Sequence, residues 1–149
     1  MRAVVQRVTS AQVEVEGSVI GAIGRGLCAF VGAGRDDDER DLDAMAEKLV
    51  HLRVFEDDDG KMSRSVLEVS GGILAVSQFT VFGDMRRGRR PSFESAMPPS
   101  QARDVFARFL EVLRSKGVPV ETGRFAADMR VLVDNDGPIT ILIDTKKTF

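Results

Sequence analysis

Apolar residues recur along this chain with two different periods, and the periods mark out its elements. Near the start, Ala3, Val5 and Val8, then Val13, Val15, Val19, Ile20 and Ile23 form short β-branched stretches broken by Gly17 and Gly21, which predicts strands around a tight turn. Residues 26–32 are apolar almost without interruption, the pattern of a strand buried on both faces. The period then changes. Leu42, Met45, Ala46, Leu49 and Val50 fall at i, i+3, i+4, i+7 and i+8, one stripe of a helix predicted over 37–52. Asp36, with Glu39 three places on, supplies an N-cap and capping box for it.

Further along, Arg53 to Glu56 and Val66 to Val69 flank Asp57-Asp58-Asp59-Gly60, which predicts a hairpin, and Gly71-Gly72 opens a strand over Ile73 to Val76. Met85 to Arg90 has the composition of an exposed loop. Pro98, Pro99 and Ser100 start a second helix whose stripe is Ala102, Val105, Phe106, Phe109, Leu110 and Leu113, ended by Gly117 and Pro119. Val131 to Val133 and Ile139 to Ile143 read as two strands joined by Asn135-Asp136-Gly137-Pro138. With no repeat, low-complexity segment or linker, the expectation is one α/β domain over 1–149: a mainly antiparallel β-sheet or open barrel covered by two amphipathic helices.

Composition changes the picture mainly by exclusion. The 43% hydrophobic and 30% charged fractions are those of an ordinary globular protein. No stretch approaches the roughly 20 apolar residues of a spanning helix, and the first eight residues lack a signal-peptide pattern, so cytoplasmic residence without membrane contact is expected. Net charge is -2, so any nucleic-acid contact must rest on a local basic patch. Cys28 is the only cysteine and His51 the only histidine, which excludes an internal disulfide and a cysteine zinc cluster. His51 reads as a helix-end residue at the negative end of the dipole, and Cys28 as a buried thiol. Asp36-Asp37-Asp38 fits a helix start and Asp57-Asp58-Asp59 a turn, neither with EF-hand spacing. Gly32-Ala33-Gly34 lacks the later glycine of a dinucleotide fingerprint and the P-loop lysine. No cofactor and no metal are expected.

Two tetrapeptides survive this exclusion. Ser77-Gln78-Phe79-Thr80 ends a strand and can present backbone N–H donors and two hydroxyls where an ester carbonyl would gain negative charge. A β-favouring Thr80 and a strand-capping Ser77 are its plainer reading. In the second, Asp136-Gly137 is a common hairpin signal, and Gly137-Pro138 is a bond for which cis costs only about 0.5–1 kcal/mol relative to trans. A cis bond there would fix two successive carbonyls with no glycine side chain in the way, a rigid wedge suited to reading shape around a small chiral centre.

Six collinear segments then resemble one family. Met1 to Val8, Leu52-Arg53-Val54-Phe55-Glu56-Asp57, Ser77 to Asp84, Gly88-Arg89-Arg90-Pro91-Ser92-Phe93, Gly123 to Met129 and Asn135 to Thr140 look like D-aminoacyl-tRNA deacylases in order and spacing, over essentially the whole chain. Phe82 stands where many relatives have tyrosine, and Asp134 where an apolar residue is expected. The resemblance implies a homodimer in which Gly137 and Pro138, with a cis bond, reach into the partner's pocket and face the first motif. It also implies that Arg7 holds the Gly-Pro loop, that Asn135 belongs to the same supporting set, and that Phe79, Phe125 and Met129 lie near the terminal adenosine or that loop.

The implied activity is hydrolysis of the ester in D-aminoacyl-tRNA to free amino acid and tRNA, with L-aminoacyl-tRNA rejected. Rejection by a factor of 10⁴ needs about 5.5 kcal/mol, within reach of a steric clash plus a lost hydrogen bond. Glycine has no side chain to clash, so glycyl-tRNA, including glycine mischarged on tRNA(Ala), is an expected leak. Backbone donors around Ser77 to Thr80 would hold the oxyanion while a water attacks, aided by the neighbouring ribose hydroxyl; Thr80 as nucleophile is the alternative. Arg86, Arg87, Arg89 and Arg90 form the one dense basic run, expected to contact acceptor-stem phosphates. A sister deacylase with a trans Gly-Pro bond and relaxed chirality, and a non-catalytic tRNA-binding dimer, are the other readings.

Overall fold

The spine of the molecule is its first strand. In a computed structural model describing residues 1–149, β1 runs unbroken over Arg2–Val15 and is paired on both edges. On one edge, β2 (Ser18–Ile23) returns through a turn with positive φ at Glu16 and Gly17, and β3 (Gly26–Gly32) continues antiparallel alongside it. Two positive φ angles are what a right-twisted two-residue hairpin demands. The final strand β8 (Arg130–Asp144) covers the other edge along nearly its whole length.

β1 serves two cores, one from each face, and a register slip changes which positions serve the second. Ala3 and Val5 face one hydrophobic cluster and Val8, on the opposite parity, faces a second. Val8 pairs with Asn135 and Ser10 with Asp134, so β1 carries one extra residue there, and the bulge flips parity. Ala11 and Val13 therefore join Val8 in the second cluster with Cys28, Leu74 and Val76. β6 (Gly72–Ser77) adds parallel to β3, and β7 (Val120–Thr122) parallel to β6. β7 comes back against β2, which nearly closes the mixed sheet into a barrel around this second cluster. β3 is buried on both faces, as its unbroken apolar run predicts.

Helices α1 (Glu39–His51) and α2 (Pro99–Ser115) cover the outer face over the larger core. Their stripes bury Met45, Leu49, Phe109 and Leu113 completely. Lys116 of the α2 C-cap reaches Asp43 and Glu47 of α1 at 2.6 Å each. These exposed pairs set orientation more than stability. No helix is long and apolar enough to cross a membrane.

Three expectations need correction, and one strand was unforeseen. The cap of α1 is Asp38, with Asp41 completing the capping box, and not Asp36 with Glu39. Asp37 is drawn off by the Met1 ammonium at 2.7 Å and the Gly34 amide at 2.5 Å, so the helix starts two residues later. The hairpin pairs β4 (Phe55–Glu56) with β5 (Met62–Arg64), and not with Val66 to Val69. That second segment is a turn in which the Ser65 amide donates to Glu68 at 2.7 Å, and its Val66 is wholly buried. Residues 131–133 and 139–143 belong to one strand, β8, so the second motif is not a hairpin turn. β7 carries too few residues to show a period and has no counterpart in the sequence reading.

Asp41 links the capping box to the end of the chain, accepting from Thr145 Oγ1 at 2.6 Å and Lys146 Nζ at 2.7 Å. Burial pushes its carboxyl up, but the Lys146 ammonium, the Thr145 hydroxyl and the Asp38 amide outweigh it and hold the carboxyl well below the aspartate range. A carboxyl depressed on folding contributes stability that is present above its unfolded value and lost as pH falls through the folded one. The urea midpoint should therefore drop as pH is lowered from roughly 5 to 2. Asp41→Asn, less stable than wild type at pH 7, should show a shallower drop; identical slopes would remove Asp41 as the titrating group.

Candidate active site

The first motif is built where β6 runs out against β3. Gln78 still belongs to the sheet through its amide, which donates to the Val31 carbonyl at 2.9 Å. The chain then tightens into a 3₁₀ turn over Phe79–Phe82 that lies on the end of β3. Gly32 makes this contact possible. A β-carbon there would sit 2.6 Å from Val81 Cγ2 and 2.8 Å from the Gln78 carbonyl oxygen. The amides of Phe79 and Thr80 open the turn, where no earlier carbonyl within it can accept from them. Of the backbone donors in the motif, Gln78 is thus committed to the sheet, and Phe79 and Thr80 are left for a ligand.

These donors border a cavity of about 950 Å³. Ser77, Gln78, Phe79 and Thr80 line one side, and the start of α2 with Met97, Pro98 and Phe106 lines another. Phe125, Asp128 and Met129, on the turn between β7 and β8, complete it. Phe79 is 56% exposed and stands edge-on to Phe93, with ring centroids 5.0 Å apart. Arg103 lies over Phe125 at 4.9 Å.

The titratable groups in the lining are Arg35 and Asp128. Arg35 is occupied, its Nε donating to the Glu94 carbonyl. Thr80 Oγ1 accepts a hydrogen bond from Gln78 Nε2 at 2.8 Å, and the cavity lining places no histidine or lysine beside it. Cys28 is fully buried in the barrel core, and burial pushes its thiol up to about 12. His51 is at the end of α1, 3.3 Å from Glu47, and lines a different cavity. The arrangement offers hydrogen-bond donors for a developing oxyanion but no activated side-chain nucleophile.

The second motif is a protrusion from β8. Gln6 pairs with Thr140 and Val8 with Asn135, so one residue of β1, Arg7, lies opposite four of β8, residues 136–139. Asp136, Gly137 and Pro138 are exposed, and the Gly137–Pro138 bond is cis. Two side chains hold the base of this wide bulge. Asn135 Nδ2 donates to the carbonyls of Arg7 and Ile139, both at 2.9 Å. Buried Arg7 donates to the Val54 carbonyl at 2.8 Å and to the Asp136 carbonyl at 3.3 Å, with the Asp136 carboxylate at 3.2 Å.

Within one chain the two motifs are far apart. Arg7 neighbours Leu27 of β3, whereas Ser77 pairs with Val31, and three strand spacings separate β8 from β6. At about 3.3 Å per residue and 4.8 Å per strand, the separation along the sheet is roughly 20 Å. Gly137 and Pro138 do not line the cavity of their own chain; Arg7 and Asn135 do not either.

The basic run lies beside the cavity mouth. Asp84 and Ser92 exchange backbone hydrogen bonds at 2.8 and 2.9 Å, which pinches residues 84–92 into a loop between Phe82 and Phe93. Arg86 is held within it: its guanidinium donates to both carboxylate oxygens of Asp84, at 2.6 Å for the shortest contact. Arg86 holds the Asp84 carboxyl well below its ordinary range. Arg87, Arg89 and Arg90 are exposed with no ion-pair partner.

A family model described as D-Tyr-tRNA(Tyr) deacylase matches residues 4–144. The "D-aminoacyl-tRNA deacylase" of Sorangium cellulosum (strain So ce56) is 62% identical with full coverage of both chains, and that of Thermotoga petrophila 56% identical, again over the whole of both. The chain belongs to the D-aminoacyl-tRNA deacylase family. Among solved structures, "c-Myc DNA Unwinding Element Binding Protein" superposes with a TM-score of 0.93 at 45% identity, covering 97% of this chain and 99% of that one. A "probable eukaryotic D-amino acid tRNA deacylase" gives 0.80 at 18% identity, covering 95% and 97%, a likeness of fold.

The cavity and the protrusion contain residues that sequence reasoning did not assign. Phe93 lies in a segment that carried the family resemblance without a role attached. Arg35, Met97 and Phe106 had no local signal of a place in the cavity, because they reach it from segments distant in sequence from the first motif. Asp136 was read as turn chemistry, yet its backbone and carboxylate both engage Arg7. Gly137 has φ +125°, and a β-carbon on it would lie 2.8 Å from Ile139 Cγ1. Gly137→Ala should therefore distort the protrusion while leaving the rest of the deacylase folded. The expected result is a nearly unchanged Tm with at least a tenfold change in the D-to-L ratio of aminoacyl-tRNA hydrolysis; an unchanged ratio would remove the protrusion from selection.

Proposed function

We propose that this chain hydrolyses the ester linking a D-amino acid to the terminal ribose of tRNA, as a homodimer in which each Gly137-Pro138 protrusion enters the cavity of the other subunit. The observation that carries this reading is a division of parts. The cavity has amide donors on a short turn, and the exposed protrusion, braced by Arg7 and Asn135, lies outside it, roughly 20 Å along the sheet from the Ser77 motif of its own chain. A second copy of the chain brings the two together.

In this reading the ester carbonyl oxygen lies toward the amides of Phe79 and Thr80. Water adds to the carbonyl carbon, the amides stabilise the oxyanion, and the bond to the ribose oxygen breaks as that oxygen takes up a proton. With no histidine or lysine in the lining and Asp128 its one carboxylate, the neighbouring ribose hydroxyl relays the proton in this reading. Thr80 remains a hydrogen-bond acceptor for Gln78 and not a nucleophile. Phe79, Phe125 and Met129 provide apolar surface for the adenosine. The partner's protrusion occupies the space that an L side chain needs, which leaves D residues and glycine admissible. Arg87, Arg89 and Arg90 face acceptor-stem phosphates, whereas Arg86 is spent on Asp84. Such work belongs where tRNA is charged and used, in the cytoplasm.

Matched D-, L- and glycyl-tRNA distinguish the possibilities. Release from D- and glycyl- but not L-substrate is expected. Release from L-substrate would point to a deacylase of relaxed chirality, and binding without release to a tRNA-binding module. Thr80→Ala should retain a rate within about tenfold of wild type; loss of more than 10³ with folding and tRNA binding intact would make the Thr80 hydroxyl part of the chemistry.

A further inference from the structure

A second cavity, of about 880 Å³, shares no lining residue with the first and lies between the end of α1 and the last residues of β8. Its floor includes Leu52, Ile141 and Leu142, and its rim carries Lys48, His51, Arg53 and Lys147. Two acids also line it, but both are engaged. Glu47 is taken by Lys116 at 2.6 Å, and Asp144 by Arg2 at 3.4 Å together with the Thr148 hydroxyl. Lys48, Arg53 and Lys147 are exposed and have no ion-pair partner, Glu68 being the one carboxylate near enough to feel Arg53, so the rim presents three cations free of direct pairing in a chain whose net charge is -2. Lys48 is in the last turn of α1, where a cation complements the helix dipole. Arg53 and Lys147 lie outside the helix, and no dipole accounts for them.

The cavity is anchored to the protrusion. Arg53 directly precedes Val54, whose carbonyl accepts from Arg7, and Ile141 stands two residues beyond Ile139 on the same face of β8. Wherever the protrusion goes, this basic rim goes with it. We propose that Lys48, Arg53 and Lys147 form a phosphate-contact surface for the tRNA whose charged end lies in the partner's cavity, so that each tRNA is gripped by both subunits. This rests on the cross-subunit reading above. Phosphate contacts of this kind are independent of sequence and position the nucleic acid without touching the reacting ester.

The test combines Lys48→Ala, Arg53→Ala and Lys147→Ala and compares two substrates, full-length D-aminoacyl-tRNA and D-aminoacyl-adenosine. For tRNA, KM should rise about tenfold with kcat unchanged, and the log–log salt dependence of binding should become shallower by about 2. Hydrolysis of D-aminoacyl-adenosine should be unchanged. Equal KM for tRNA would overturn the proposal, and so would an equal loss on both substrates, which would mean damage to the cavity or protrusion. Affinity for uncharged tRNA reads the same surface without hydrolysis, so a wild-type protein that fails to deacylate would sink the activity and still decide this surface. Mixed dimers place it in trans. When one subunit's cavity is filled by Met129→Trp, the triple substitution on that subunit should raise KM, whereas on the other subunit it should not; the reverse pattern would overturn the cross-subunit arrangement.

Discussion

Much of this structure depends on where one buried guanidinium finds its partners. Arg7 points into the protein with its side chain 8% exposed, and a charge so placed is tolerable only if it is paired and hydrogen-bonded. Its donors meet the carbonyl of Val54 on one side and the backbone and carboxylate of Asp136 on the other. The planar fork of arginine can serve several acceptors in different directions, which a lysine ammonium on a flexible stem does less well. One side chain thereby ties β1 to the loop after α1 and to the base of the protrusion. Asn135 closes the same bulge from the other strand, bridging two carbonyls that the interrupted ladder would leave unpaired.

From that constraint follows a site made mostly of backbone. The donors at the cavity are amides of a short turn, and the protruding group is a pair of peptide units whose ends are held by Arg7 and Asn135. Most titratable residues fall elsewhere or are already committed, with Cys28 in the barrel, His51 at the far end of α1 and Arg35 on a carbonyl, which leaves Asp128 as the carboxylate of the lining. Under the proposed mechanism this is a coherent economy of parts, because water and a ribose hydroxyl supply the nucleophile and the proton path, and the protein supplies orientation and charge stabilisation.

The sequence conveyed local structure well and the assembly of the site only in part. The stripes of both helices and the two-sided burial of β3 follow from periodicity, since a long, regular pattern leaves few alternatives. The start of α1 was misplaced because three consecutive aspartates compete for one cap. What selects Asp38 is the demand of the Met1 ammonium and the Gly34 amide on Asp37, a tertiary fact. The second motif was misread as a hairpin turn for a similar reason. Asp-Gly-Pro between apolar runs has the same local chemistry in a turn and in a wide bulge, and only the continuous pairing of β8 with β1 separates them. Likewise Arg86 belongs to the basic run by composition, yet Asp84, two residues away, takes it. Phe93 and Arg35 reach the cavity through packing between elements distant in sequence, which no local pattern encodes.

Under the proposed reading, why should a chirality filter be made of backbone braced by Arg7 and Asn135, and not of a large side chain inside the cavity? Magnitudes decide it. A filter that rejects L residues by 10⁴ must withstand about 5.5 kcal/mol of intrusion without yielding. A side chain pushed roughly 30° off its rotamer resists with only about 0.5–1.5 kcal/mol, so a bulky residue would bend aside long before that limit. Displacing the Gly137-Pro138 segment would instead break several hydrogen bonds at once: one from the buried Arg7 charge, worth about 1.5–3 kcal/mol, and those of Asn135, worth about 0.5–1.5 kcal/mol each. Lost together, they approach the required stiffness. If the protrusion is the filter, the braces do more than support a loop: they set the upper bound on how well it can discriminate, and that bound exists only while Arg7 remains buried and fully partnered.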